Sequence, residues 1–178
     1  NQIKKVFEIL KNRGWKSVLE KDKVVGLKRD NQKITTEPGF QYELSGAPFK
    51  NIHSVCSENS NHFDELKKVF SLIGITTSSI AYDPFNKLNE IPKSPKERYK
   101  IMTSEMPKGG ELSLDMMYKT AGIQINYDYT SEEDFEKKFK IGNYLVPLAI
   151  AIFANSPFNE NKLSGYLSYR GKVWQKTS

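Results

Sequence analysis

The chain has 178 residues, 38% hydrophobic and 27% charged, with a formal net charge of +6. That balance excludes a disordered chain and is long enough to bury a core. A single Cys and two His exclude a disulfide framework and a Cys/His zinc site, and the longest apolar run, Tyr144 to Ala154, is eleven residues where a membrane span needs about twenty. The lysines are scattered, so a nucleic-acid module rests on net charge alone and neither nucleic acid nor membrane is expected as a partner. With one Cys and neither a signal core nor a transit pattern at Asn1 to Val6, a reducing, cytoplasmic setting is expected, or a plastid for a plant-like source. The missing initiator Met points to sequence upstream.

Ile3, Val6, Phe7 and Leu10 recur at helical spacing before Gly14, which predicts an opening helix with Trp15 and Val18 sealing its end. Residues 24–28 and 33–37 flank the turn-prone Asp30-Asn31-Gln32 and predict a β-hairpin with Glu37 at a strand end. An irregular stretch from Glu37 to Gly46 follows. Ile52, Val55, Cys56, Phe63, Leu66, Val69, Phe70 and Ile73 then form an apolar stripe of helical period that Gly74 closes. Residues 75–82, rich in β-branched side chains, predict a strand.

Ser94-Pro95-Lys96-Glu97 has the residues of a capping box and predicts a helix ending before Pro107. From Ala121 to Tyr129 the pattern alternates, with Ile123, Ile125, Tyr127 and Tyr129 on one face and Gln124, Asn126 and Asp128 on the other, predicting a strand with one core face. Ser131 opens a helix through the 144–154 run, expected to be buried and to kink or divide at Pro147. The tail from Leu163 to Arg170, with Trp174 beyond, reads as a last extended segment. With hairpins and no Gly-rich phosphate loop, an α+β fold fits: an antiparallel sheet with packed helices, in a single domain over residues 1–178.

Several residues have chemistry to offer. Glu37 and Glu43 bracket a Pro/Gly-rich turn, from which carboxylates can reach a hard cation, or they are two solvated glutamates. Gln124 and Asn126 line either a cleft or a solvent-facing strand. Arg170, among Tyr166, Tyr169 and Trp174, suits a bidentate grip on carboxylate or phosphate, or it packs on rings at the surface. Cys56, three residues from His53 on one helix face, falls on the apolar stripe and reads as a buried structural thiol.

Longer motifs carry more information: Glu37-Pro38-Gly39, Gln41-Tyr42-Glu43-Leu44-Ser45-Gly46-Ala47-Pro48, Met106-Pro107-Lys108, Leu114-Asp115-Met116-Met117, Gln124-Ile125-Asn126 and Phe153-Ala154-Asn155-Ser156-Pro157-Phe158. Together, from about Phe7 to Trp174, they resemble plant-type and proteobacterial glutamate–cysteine ligase. The resemblance implies a partial glutamine-synthetase-like catalytic fold. It also implies phosphorylation of the L-glutamate γ-carboxylate by ATP with Mg²⁺, then attack by the L-cysteine amine, the first step of glutathione biosynthesis. A related carboxylate–amine ligase, or an incomplete binding or regulatory piece, is the alternative.

Carried over by motif, the resemblance makes Glu37 and Glu43 magnesium ligands, and Gln124 and Asn126 the nucleotide and metal face. Related ligases have a histidine at the Gln124 position, which implies weak or water-mediated coordination there. Arg170 is placed on glutamate or the acyl phosphate. Met116 and Met117 shape the substrate pocket, Tyr166 sits near the amino-acid site, and Arg98 and Lys108 contact anionic substrate. The family's upstream strand of paired magnesium-binding glutamates has no counterpart before Asn1, and its chain continues past Ser178, so a central piece of a longer domain is implied. Asn86-Lys87-Leu88 stands where plant members have Trp-Arg-Arg. Cys56 matches a redox-control cysteine whose partner this chain lacks.

Overall fold

The computed structural model describes residues 2–177; Asn1 and Ser178, the ends past which the resemblance expects more chain, lie outside them. The fold is α+β, and it divides into two compact units: residues up to 78 with 92–99, and residues 79–91 with 100 onward.

The first unit opens with α1 (Gln2–Lys11), as the apolar spacing predicts. Val6, Phe7 and Leu10 are buried along one stripe, and Gly14 reverses the chain at a φ of 92° that L side chains rarely adopt. Four antiparallel strands follow in sheet order: β1 (Lys16–Glu20), β2 (Lys23–Arg29), β3 (Gln32–Thr36) and β4 (Tyr42–Ser45). The β2–β3 hairpin is the expected one, whereas β1 and β4 are short, half-polar strands that alternation in sequence does not single out. Lys21 and Asp22 join β1 to β2 with both φ positive, the backbone twist that suits a tight hairpin.

Helix α2 (Ile52–Ser71) is capped by Asn51, whose side chain accepts from the Ser54 N–H. Leu66, Val69 and Phe70 join Val6, Phe7, Leu10, Trp15, Leu27 and Ile34 in one core. Toward its N-terminus the buried positions are the polar Glu58 and His62, while Ile52 and Phe63 are exposed. Cys56 is also exposed, which corrects the expected buried thiol: the core stripe covers the C-terminal half of the helix only.

The second unit contains most of α3 (Glu97–Glu105), with α4 (Ser113–Lys119), α5 (Glu132–Ile152) and α6 (Tyr169–Trp174), and a hairpin of β5 (Phe158–Asn159) and β6 (Lys162–Leu163). Tyr82, Met117, Tyr118 and Val173 are its buried hydrophobic centre. Ser131 caps α5 as predicted, accepting from the Asp134 N–H, and Pro147 lies inside a continuous helix.

Four expectations fail from residue 75 onward. Residues 75–81 form no strand, and only Tyr82 makes a bridge, to Thr120. Ala121 to Tyr129 forms no strand, with Ile123 91% and Tyr127 77% exposed, because no described strand lies alongside to take its hydrogen bonds. Helix α5 has no buried residue, so the 144–154 run is exposed and not core. The tail is a strand only at Leu163, in β6, and from Ser168 it caps and enters α6 where an extended end was expected. Among the described residues no helix is long and apolar enough to cross a membrane.

Candidate functional site

In the first unit, pairing of Thr35 with Glu43 and of Thr36 with Tyr42 sets the faces of the β3–β4 hairpin. Ile34, Tyr42 and Leu44 point to the core. Thr35 and Glu43 then point to the other face, and the ladder continues through the Glu37 N–H to the Gln41 carbonyl at 2.8 Å, bringing Glu37 onto the face of Glu43. The two carboxylates feel each other: burial, and then Glu37, push the Glu43 carboxyl above its ordinary value, while Lys96 and Arg98 oppose this.

The segment leading into α3, with the first turn of that helix, supplies the facing cations. Lys96 is buried; its Nζ donates to the Thr36 carbonyl at 2.8 Å and lies 5.2 Å from the Tyr99 ring centroid. The exposed Arg98 donates to the Tyr99 hydroxyl at 2.8 Å, and that hydroxyl lies 3.4 Å from both Glu37 oxygens. The expected capping box does not form: the Ser94 hydroxyl is buried without a partner, while the Ser94 N–H donates to the Pro38 carbonyl at 2.8 Å. The tie to the Glu-Pro-Gly turn replaces the cap. Reading Ser-Pro-Lys-Glu as a cap hid Lys96 and Tyr99, although their i, i+3 spacing places them side by side.

Two carboxylates suit a magnesium ion, which takes one or two from protein and completes its shell with water and substrate phosphate. Among the described residues no group of three or more His, Cys, Asp or Glu could hold a metal ion.

The second unit holds the other expected residues. Arg170 at the start of α6 is partly buried, its Nε has no hydrogen-bond partner, and burial pushes its pKa down from the ordinary value. Its guanidinium lies 5.6 Å from the Trp174 ring centroid. A Cβ on Gly122 would stand 2.9 Å from one of its terminal nitrogens, so Arg170 lies directly against the start of the segment bearing Gln124 and Asn126. Both of those amides are exposed. Tyr166 is 47% exposed, 6.3 Å from the Tyr169 ring. Met117 is buried in the core of the unit and Met116 is half-buried, while Asp115 accepts from the Tyr82 hydroxyl at 2.8 Å. Lys108 is exposed and pairs with Glu105.

A cavity of about 580 Å³ opens elsewhere in the first unit, lined in part by Arg29, Gln32, His53, Glu58 and His62. None of the candidate site residues lines it, and two of its charged side chains already have hydrogen-bond partners. Glu58 accepts from Gln32 and from the Ala47 N–H, and Arg29 makes a two-point pair with Glu65 at 2.9 Å.

A partly buried arginine whose Nε has no hydrogen-bond partner is suited to receiving an anion. The chain belongs to glutamate–cysteine ligase family 2, whose family model matches residues 5–178. It is 45% identical over 178 residues to chloroplastic glutamate–cysteine ligase A of Oryza sativa subsp. japonica, covering 99% of this chain and 36% of the rice protein. It is 46% identical over 163 residues to the chloroplastic enzymes of Nicotiana tabacum and Arabidopsis thaliana, covering 92% of this chain and 31% of each of those proteins. The chain thus spans about a third of the length of these relatives. Their names correct the cytoplasmic expectation: these relatives are chloroplastic.

Proposed function

We propose that this chain supplies part of the active site of an ATP-dependent glutamate–cysteine ligase acting in a plastid. In this reading the γ-carboxylate of L-glutamate attacks the terminal phosphorus of ATP, ADP leaves, and γ-glutamyl phosphate forms. The L-cysteine amine attacks the acyl carbon, loses a proton and expels phosphate, giving γ-glutamylcysteine.

The observation that carries the reading is Arg170, a partly buried guanidinium with a free Nε and no carboxylate paired to it among the described residues. A buried, unpaired cation is costly unless an anion arrives to satisfy it, and the planar fork of arginine fits a carboxylate or an acyl phosphate at two points. Arg170 thus grips glutamate or its phosphorylated form. Magnesium, when bound, neutralises charge on the transferring phosphoryl group. Glu37 and Glu43 are the residues of this chain that would hold it, and their mutual repulsion favours a cation between them.

Gln124 and Asn126, on the segment that begins at Gly122 against Arg170, offer exposed amides to nucleotide. Arg98 and Lys108 are the further cations for anionic substrate, Met116 and Met117 shape the pocket, and Tyr166 borders the amino-acid site. The test is ADP release by the complete protein with Mg-ATP and glutamate, with and without cysteine. Cysteine-dependent turnover is expected, and Arg170→Ala is expected to lower glutamate-dependent turnover at least about a hundredfold, the scale of losing a preorganised donor to developing charge. Undiminished turnover in that variant would remove Arg170 from the site.

A further inference from the structure

We propose that Lys96 and Tyr99 are positioning residues that clamp Glu37 and thereby set the affinity of its site for a divalent cation. This inference rests on the reading of Glu37 as a metal ligand. The argument begins with the turn that carries Glu37, whose last residue, Phe40, sits at a φ of +61°, in the left-handed region that a bulky side chain rarely adopts. Such a turn is held from outside, and residues 94–99 hold it on both sides of Glu37. The Lys96 ammonium takes the Thr36 carbonyl before it, and the Ser94 N–H takes the Pro38 carbonyl after it, each at 2.8 Å.

The Tyr99 hydroxyl aims the side chain itself. It has one proton and two acceptor lone pairs. Arg98 donates to it at 2.8 Å and Lys96 at 3.5 Å, so its acceptor side faces two cations. Its proton is left to point at the Glu37 carboxylate at 3.4 Å and the Thr36 carbonyl at 3.3 Å. Tyr99 is 3% exposed and Lys96 8%, so water does not readily replace either contact. An outer contact of this kind limits the orientations of a ligand carboxylate without touching the ion.

The experiment uses the complete protein with Mn²⁺ alone as the probe, its binding followed by electron paramagnetic resonance. Steady-state turnover against magnesium concentration provides the second readout. Glu37→Gln is expected to abolish the site. Tyr99→Phe, which removes one oxygen and leaves the buried ring in place, is expected to weaken Mn²⁺ binding about tenfold, the low end for a lost outer-shell contact. The KM for magnesium should rise more than kcat falls, and Lys96→Arg, which keeps a donor, should bind better than Lys96→Met. Unchanged Mn²⁺ affinity in Tyr99→Phe beside a loss in Glu37→Gln overturns the clamp and leaves the ligand reading standing. Unchanged affinity in Glu37→Gln overturns both. Because Lys96→Met removes a buried charge and can unfold the chain, Tyr99→Phe with an unshifted melting curve carries the decision alone.

Discussion

His62 is an imidazole whose charged form its surroundings disfavour. Burial lowers its pKa below the ordinary 6.5; Glu65 and Glu58 pull upward, and Arg29 adds to the lowering. Its ring stacks on Tyr42 at 5.8 Å, and its Nδ1 has no hydrogen-bond partner. The unfolded chain therefore binds a proton near pH 6.5 that the folded chain takes up only at lower pH. Stability rises with pH through that window and is lost as pH falls below it. The urea unfolding midpoint should drop between about pH 7 and pH 5, and His62→Gln should flatten that slope; an unaltered slope would assign the linkage to another group. His62 lies one turn before Leu66, whereas the apolar stripe read from sequence runs through Phe63, which is exposed. The shifted titration of His62 was not legible in sequence, because that depends on Arg29 from β2 and on the Tyr42 ring from β4.

Helix α1 shows how much a short element can determine by itself. Its apolar stripe, its glycine exit and the Trp15 seal were all readable, because helical periodicity and a left-handed glycine are local properties. Leu10 is fully buried at the centre of the core that α1, α2 and the sheet share. Leu10→Ala should cost about 2–5 kcal/mol in urea unfolding, the range for a core leucine replaced by a cavity, and a cost below about 1 kcal/mol would mean that the core closes over the gap. Helix α5 is the contrasting case. Its cap and length were legible, but its burial was not, since an apolar run states what a segment prefers and not whether a neighbour is there to cover it.

Across the molecule, protection should follow pairing. The amides of Leu27 and Ile34 lie in the middle of a four-stranded ladder with buried side chains, whereas residues 122–129 have no ladder among the described residues. Hydrogen exchange should be orders of magnitude faster over 122–129 than at Leu27 or Ile34, because exchange from an unpaired segment needs no opening of structure. Equal protection would show that 122–129 pairs with a strand in solution. The sequence by itself determined the α+β class, the first helix, the central hairpin and, through its ordered motifs, the family. These are properties of neighbours along the chain. Only the tertiary structure decided that Glu37 and Glu43 share one sheet face, that Lys96 and Tyr99 close over Glu37, and that Arg170 lies against Gly122. Lys96 meets Thr36 across 60 positions of sequence, and a contact of that separation is set by strand register and turn geometry, which no local spacing encodes.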